Sequence, residues 1–265
     1  MSPPARMPAL FVPHGGGPSF FMTGERKERY RATEDFLRSI PDLLPRRPSA
    51  ILVATAHWES PVPSFTGGAH PALIYDYYGF PPHTYELTYS APGQPALAQR
   101  AAQQLQQAGF AASVDPDYGW DHGVFIPLKV MFPAADVPVV AMSLHASLDP
   151  QFHAALGAAL TPLRDEDVLI VGSGMSFHNL QHFHAATPAS HVFHDWLDQA
   201  LAGDRTQRAQ RLAGWQQAPG GRASHPREEH LIPLMLASGA GSDAPARCLW
   251  RGRVGDSALG AWAFD

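Results

Sequence analysis

The sequence of 265 residues is poor in cysteine and in charge. Its single cysteine, Cys248, excludes an intrachain disulfide framework and any zinc site built from several thiolates, and is compatible with a reducing compartment. Only 16% of residues are charged, and the 19 Lys and Arg are scattered among 24 acids, leaving a net charge of −5 and no basic stripe to track a phosphate backbone. Nucleic acid is not an expected partner. Nor is a membrane: no run approaches the ~20 apolar residues of a span, and the apolar patch before Pro13 lacks the longer core of a secretory signal. A soluble cytoplasmic protein is expected. No repeat or linker divides the chain, and 45% hydrophobic content supports a sizeable core, so one domain over residues 1–265 is expected.

Histidine is abundant, with 14 in the chain, and position separates the informative ones from the rest. The unbroken apolar run Ile51–Thr55 leads into Ala56-His57-Trp58 and reads as a strand buried on both faces of a mainly parallel sheet. His57 therefore stands at a strand end, where open α/β sheets bind ligands. Ala9–Val12 reads as a first short strand, followed by Pro13-His14 and then Gly15-Gly16-Gly17, which suit a tight turn or close approach to a ligand. This is no phosphate loop, because the Lys-Ser/Thr of a Walker motif and the spaced glycines of a dinucleotide fingerprint are missing. Val168–Val171 is the next strand of this kind, and Gly172-Ser173-Gly174 carries it toward His178.

The segments between alternate as βαβ units require. Thr33 is placed to cap a helix over Glu34–Leu37 that closes between Pro41 and Pro48. Ser60–Gly93 is an excursion rich in Pro and Tyr, read either as a functional loop or as an aromatic cover for the sheet edge. Pro95–Ala108 has a helical apolar stripe, Phe110–Val114 returns as a strand, and the polar loop Asp115–Gly123 carries His122. A helix at Val124–Met131, a strand at Val137–Met142 and a helix opened by Asp149-Pro150 follow. Ser190–Leu201 and Arg205–Trp215 read as helices, Gln216–Ser224 as a polar connection, and Pro226 as a helix start leading into Leu231–Leu236. Arg247–Val254 and Ala258–Phe264 read as closing strands. His182, His184, His191 and His194 read as surface residues. The expected fold is α/β, a mainly parallel or mixed central sheet flanked by helices, with the site at the carboxyl ends of the strands.

Strand-end histidines converge if their strands are neighbours. A divalent metal held by a few imidazoles, with positions left open, suits either water activation by zinc or dioxygen chemistry by non-haem iron. His225, Glu229 and His230 offer further ligands. Neither HExxH nor a facial HxD motif is present, so the residues alone do not choose the metal.

Six blocks, VPHGGGPS, ILVATAHWE, YDYYGFP, YGWDHGVFIPL, VLIVGSGMSFHNL and HPREEHLIPL, together resemble the class III extradiol ring-cleavage dioxygenases. The similarity is to the DOPA 4,5-dioxygenase-like branch, related to the catalytic subunit of protocatechuate 4,5-dioxygenase, and runs from about Phe11 to about Gly239. The resemblance implies a mononuclear non-haem Fe(II) site with His14, His57 and His230 as ligands and Zn(II) as the other occupant of the same site. Glu229 is the reserve ligand, because the protocatechuate branch uses a glutamate. His178 matches the family's acid/base position, and His122 a partner that hydrogen-bonds substrate or oxygen. The implied partners are a small aromatic diol and O2. A zinc-dependent hydrolase on the same histidines and a Memo-like binding protein are the alternative readings.

Overall fold

The apolar run around Ile51 forms the central strand its composition predicts, and the rest of the chain is layered against it. In the computed structural model, which describes residues 6–183 and 188–265, the elements run β1 (Ala9–Pro13), α1 (Gly24–Leu43), β2 (Ala50–Ser60), β3 (Ser64–Thr66), α2 (Pro95–Gln107), β4 (Ser113–Asp115), α3 (His122–Met131) and β5 (Val139–His145). They continue with α4 (Pro150–Leu160), β6 (Val168–Gly174), α5 (Pro188–Leu201), α6 (Arg205–Ala213), α7 (Gly221–Ser224), α8 (Ile232–Ala240), β7 (Arg247–Val254) and β8 (Ser257–Phe264). The strands form one eight-stranded sheet in the order β4-β3-β5-β2-β6-β1-β8-β7. Its middle, β5-β2-β6-β1, is parallel. Both margins bring antiparallel pairing, β8 on β1 and β3 on β5, so the sheet is mixed as expected.

Alternate residues of β2 explain why its first half is apolar without a break. Leu52 and Ala54 pack into a core with α2, α4, α5 and α8 residues such as Leu105, Leu156, Leu197 and Leu234. Ile51 and Val53 pack into a second core with Leu37 of α1 and Val124 and Leu128 of α3. Each face is covered by helices, so the stretch Ile51–Ala54 is apolar throughout. Gly172 of β6 sets the spacing to α8, since a Cβ there would lie 2.2 Å from the Pro233 carbonyl oxygen.

Several elements differ from the sequence-based expectation. Helix α1 begins nine residues before Thr33, which is buried inside it and caps nothing. Its early turns lack an apolar stripe and are held instead by ion pairs, Glu25 with Arg29 and Glu28 with Arg31, with Lys27 and Arg38 both on Glu34. The excursion after β2 hides β3, a three-residue strand too short for alternation to reveal. The strand expected at Phe110–Val114 is only Ser113–Asp115 at the sheet margin, and Phe110 packs edge-on against Phe152 instead. Trp215 lies beyond α6 in a short 3-10 turn, and the polar connection after it contains α7.

Pro226 does not open a helix. Residues 226–231 form bends and turns in which Arg227 pairs with Glu229 and Arg222 with Glu228, and α8 starts only at Ile232. His194 is 5% exposed and packs against Trp262, because it lies beside Phe193 on the buried stripe of α5. His182 is exposed as expected, and His191 is half-buried with a contact to the Asp256 carbonyl. His184 lies outside the described residues. Among the described residues no helix is long and apolar enough to cross a membrane.

Candidate functional site

Strand adjacency builds the site. β2, β6 and β1 are consecutive parallel strands, with Thr55 in register with Ser173 and Pro13 with Gly174, so their carboxyl ends finish together. His14 follows β1 directly, with its N–H donating to the Gly174 carbonyl at 3.1 Å, and His57 lies near the end of β2. The loop before α8 returns over the same edge, where the Met175 N–H donates to the His230 carbonyl at 2.9 Å. His122 enters as the first residue of α3 and His178 on the loop after β6. All five histidines line one cavity of about 440 Å³.

His14, His57 and His230 form a nearly regular triangle, with ring centroids 4.9, 5.2 and 4.9 Å apart. The atoms behind them fix which nitrogen each presents. Ser173 spends its hydroxyl proton on the Gly123 carbonyl, so its oxygen accepts from His14 Nδ1–H at 3.2 Å, leaving His14 Nε2 a bare lone pair. His230 Nδ1–H donates to Glu229 Oε1 at 3.0 Å, and His230 Nε2 is buried with no partner. His57 Nε2 lies 3.2 Å from His14 Nε2. One ligating nitrogen from each of the three falls within a 4.8 Å cluster, so a single cation answers both the orphaned His230 nitrogen and the facing lone pairs. The residues present fit a metal.

Electrostatics point the same way. Burial, then the neighbouring His57, His230 and His122, push His14 well below the ordinary 6.5. Burial and the charges of His178, His57 and His122 do the same to His230. His57 falls to about 3, chiefly through burial and His122, against the opposing pull of Asp76. All three are neutral at physiological pH, the state in which imidazole binds metal.

The second pair of histidines is backed by carboxylates. His122 Nδ1–H and its backbone N–H both donate to Asp76 Oδ1 at 2.9 Å, leaving Nε2 for the cavity. Burial alone would raise the Asp76 carboxyl, but the His122 hydrogen bond and the His122 and His57 charges outweigh it and hold it low. His178 stacks on His230 with ring centroids 3.3 Å apart. Its Nδ1 is 3.6 Å from Glu229 Oε1, too long for a hydrogen bond, so that oxygen belongs to His230 and serves His178 through charge.

Glu229 thus stands behind His230, joined through Arg227 to Glu59 on β2. His225, offered by the sequence as a further ligand, is not in the cavity. It is fully buried, donates from Nε2 to the Ser176 carbonyl, and packs against Phe193 and Trp215. The sequence reading missed Asp76, Ser173 and the Thr55–Asp121 hydrogen bond of 2.7 Å that ties β2 to the start of α3. Asp76 was visible only as the one acid in YDYYGFP, and Ser173 only as the polar residue of a buried strand end.

Comparison with known proteins gives the class. Residues 8–257 match the family described as the catalytic LigB subunit of aromatic ring-opening dioxygenase, and the chain belongs to that family. It is a class III extradiol ring-opening dioxygenase, as its motifs implied, and the hydrolase and Memo-like alternatives are not favoured. Its relatives include 4,5-DOPA dioxygenase extradiol of Beta vulgaris, 37% identical over 80% of this chain and 81% of the relative. Another is Dioxygenase tasH of Hapsidospora irregularis, 40% identical over 88% of this chain and 78% of the relative. The crystal structure of an uncharacterized protein from Escherichia coli K12 superposes with a TM-score of 0.80 at 29% identity, covering 98% of this chain and all of the other.

Two outcomes are expected. Replacing Ser173 with Ala frees the His14 tautomer and should weaken metal binding by about 10–100-fold, measured by competition with a chelator; unchanged affinity would mean that Ser173 does not orient His14. The buried histidines also set a pH dependence. Because their folded-state values lie below 6.5, the unfolded chain binds more protons between 6.5 and about 3. Metal-free protein should therefore hold its full stability above that window and lose it as pH falls through it, read as a falling urea midpoint; a flat profile there would contradict neutral buried imidazoles.

Proposed function

We propose that this dioxygenase opens the ring of a catechol-type substrate beside its diol, at a mononuclear Fe(II) held by His14, His57 and His230. What carries this reading is the commitment of Nδ1 on His14 and His230 to Ser173 and Glu229, which leaves two Nε2 lone pairs and His57 Nε2 in one cluster. Three neutral ligands keep the full positive charge of the ion, which suits a diol that binds with loss of protons. When bound, the metal supplies a Lewis-acidic seat for the diol oxygens and a redox partner for O2, which zinc in the same ligands cannot be.

The chain's own residues move the protons. His178, on the cavity wall beside His230, would take a proton from the diol and hand one back to oxygen, as acid and base in turn. Glu229 Oε1 lies 3.6 Å from His178 Nδ1, on the side of the ring away from a free Nε2. His122, its Nδ1–H anchored on Asp76, offers Nε2 to substrate or oxygen from beside His57. Tyr77, Phe80, Met175 and Phe183 give the cavity an apolar lining that limits water around the reacting groups. The single cysteine, with no second one in the sequence to pair with, supports a reducing, cytoplasmic setting.

Oxygen uptake by anaerobically Fe(II)-loaded protein with a panel of catechols tests this reading. Uptake with a yellow ring-opened product is expected with iron and not with zinc. His57→Ala should lose metal, whereas His178→Ala should keep metal and lose turnover by about 100-fold or more. Equal metal loss in both variants would overturn the division of roles, and no uptake with any catechol would overturn the function.

A further inference from the structure

The cavity is larger than the ring the metal site would hold. A cavity of roughly 150 Å³ accommodates a benzene ring, and this one measures about 440 Å³. That leaves room for a substituent extending from the histidines toward the mouth. The mouth itself has a defined chemistry. Helix α1 contributes Arg26 and Arg29 to the lining, and Tyr78 and Leu180, 91% and 75% exposed, add apolar surface at the rim. No aspartate or glutamate lines the cavity among the described residues.

The two arginines are not equivalent. Arg29 is paired with Glu25 at 2.6 Å, so its charge is already answered. Arg26 has no carboxylate partner among the described residues, and its guanidinium lies over the Phe80 ring, 4.8 Å from the centroid. Phe80 is itself a lining residue, so the contact biases the exposed guanidinium toward the cavity mouth. A guanidinium placed at a pocket mouth with its donor fork unspent is suited to a carboxylate.

We propose that Arg26 is a specificity-determining residue that selects catechols whose side chain ends in an anionic group. The inference rests on the catechol reading above and adds the substrate class to it. It also ranks side chains by charge. A carboxylate alone meets Arg26 with nothing opposed to it. A zwitterionic amino-acid side chain brings an ammonium that finds no acid on the lining, and a purely cationic side chain meets only repulsion.

The test compares three ligands with the same ring and closely similar chains: 3-(3,4-dihydroxyphenyl)propanoate, its methyl ester, and dopamine. With Fe(II)-loaded enzyme, kcat/KM should favour the acid over the ester by about tenfold, with dopamine last. The acid-to-ester ratio should fall toward one in Arg26→Gln, recover in part in Arg26→Lys, and shrink with added salt as a mouth-level charge contact does. Anaerobic calorimetry of acid and ester should show the same ratio in binding. An acid-to-ester ratio near one in the wild type, a ratio that survives Arg26→Gln, or a preference for dopamine overturns the inference while leaving the dioxygenase reading intact. Failure to open any of the three in the presence of iron, when other catechols fail as well, overturns both.

Discussion

A buried imidazole can hold a metal only when it is neutral and has one nitrogen free, and burial alone secures just the first condition. The second depends on what stands behind the ring. Here Ser173 accepts from His14, Glu229 accepts from His230, and Asp76 accepts from His122, so three rings have their proton fixed on Nδ1. Ser173 can accept only because its own proton is committed to the Gly123 carbonyl, which makes the start of α3 part of the arrangement. Asp76 and Glu229 favour the charged form of His57, against the burial that holds it low.

The fold supplies the rest through adjacency. Three parallel strands end at one edge, and each contributes a residue to the site or leads into a loop that does. β2 carries His57, β1 delivers His14, and β6 carries Ser173 and leads toward His178. The walls come from less regular chain: the aromatic excursion with Tyr77, Tyr78 and Phe80, and the N-terminal turns of α1 with Arg26 and Arg29. A rigid sheet edge for the chemistry and loops for the remaining walls is the usual division of labour in α/β enzymes.

Much of this was legible in the sequence for physical reasons. The strands of the core announce themselves because burial on both faces forbids polar residues, and His14, His57 and His178 stand out as polar residues at the ends of such runs. Charge-rich α1 was legible only in its second half, because ion pairs along a solvent-facing turn leave no apolar period. β3 was too short to show alternation. Asp76 and Ser173 act through contacts to residues 46 and 159 positions away, and nothing local marks an acid or a serine as the partner of a distant ring. His194 and His225 show the converse, since a histidine read as surface and one read as a ligand are both packed in the interior.

The central claim is that one metal ion sits among His14, His57 and His230. Two other groupings of metal-ligand type share residues with that triangle, His57 with Asp76 and His122, and His178 with Glu229 and His230. Anomalous diffraction at the iron edge from crystals grown anaerobically with Fe(II) separates the three. The account predicts a single peak in the cavity within ligand distance of Nε2 of His14, His57 and His230, with Asp76 and Glu229 still on the Nδ1 side of their histidines. A peak coordinated by Asp76 or by Glu229 would contradict it.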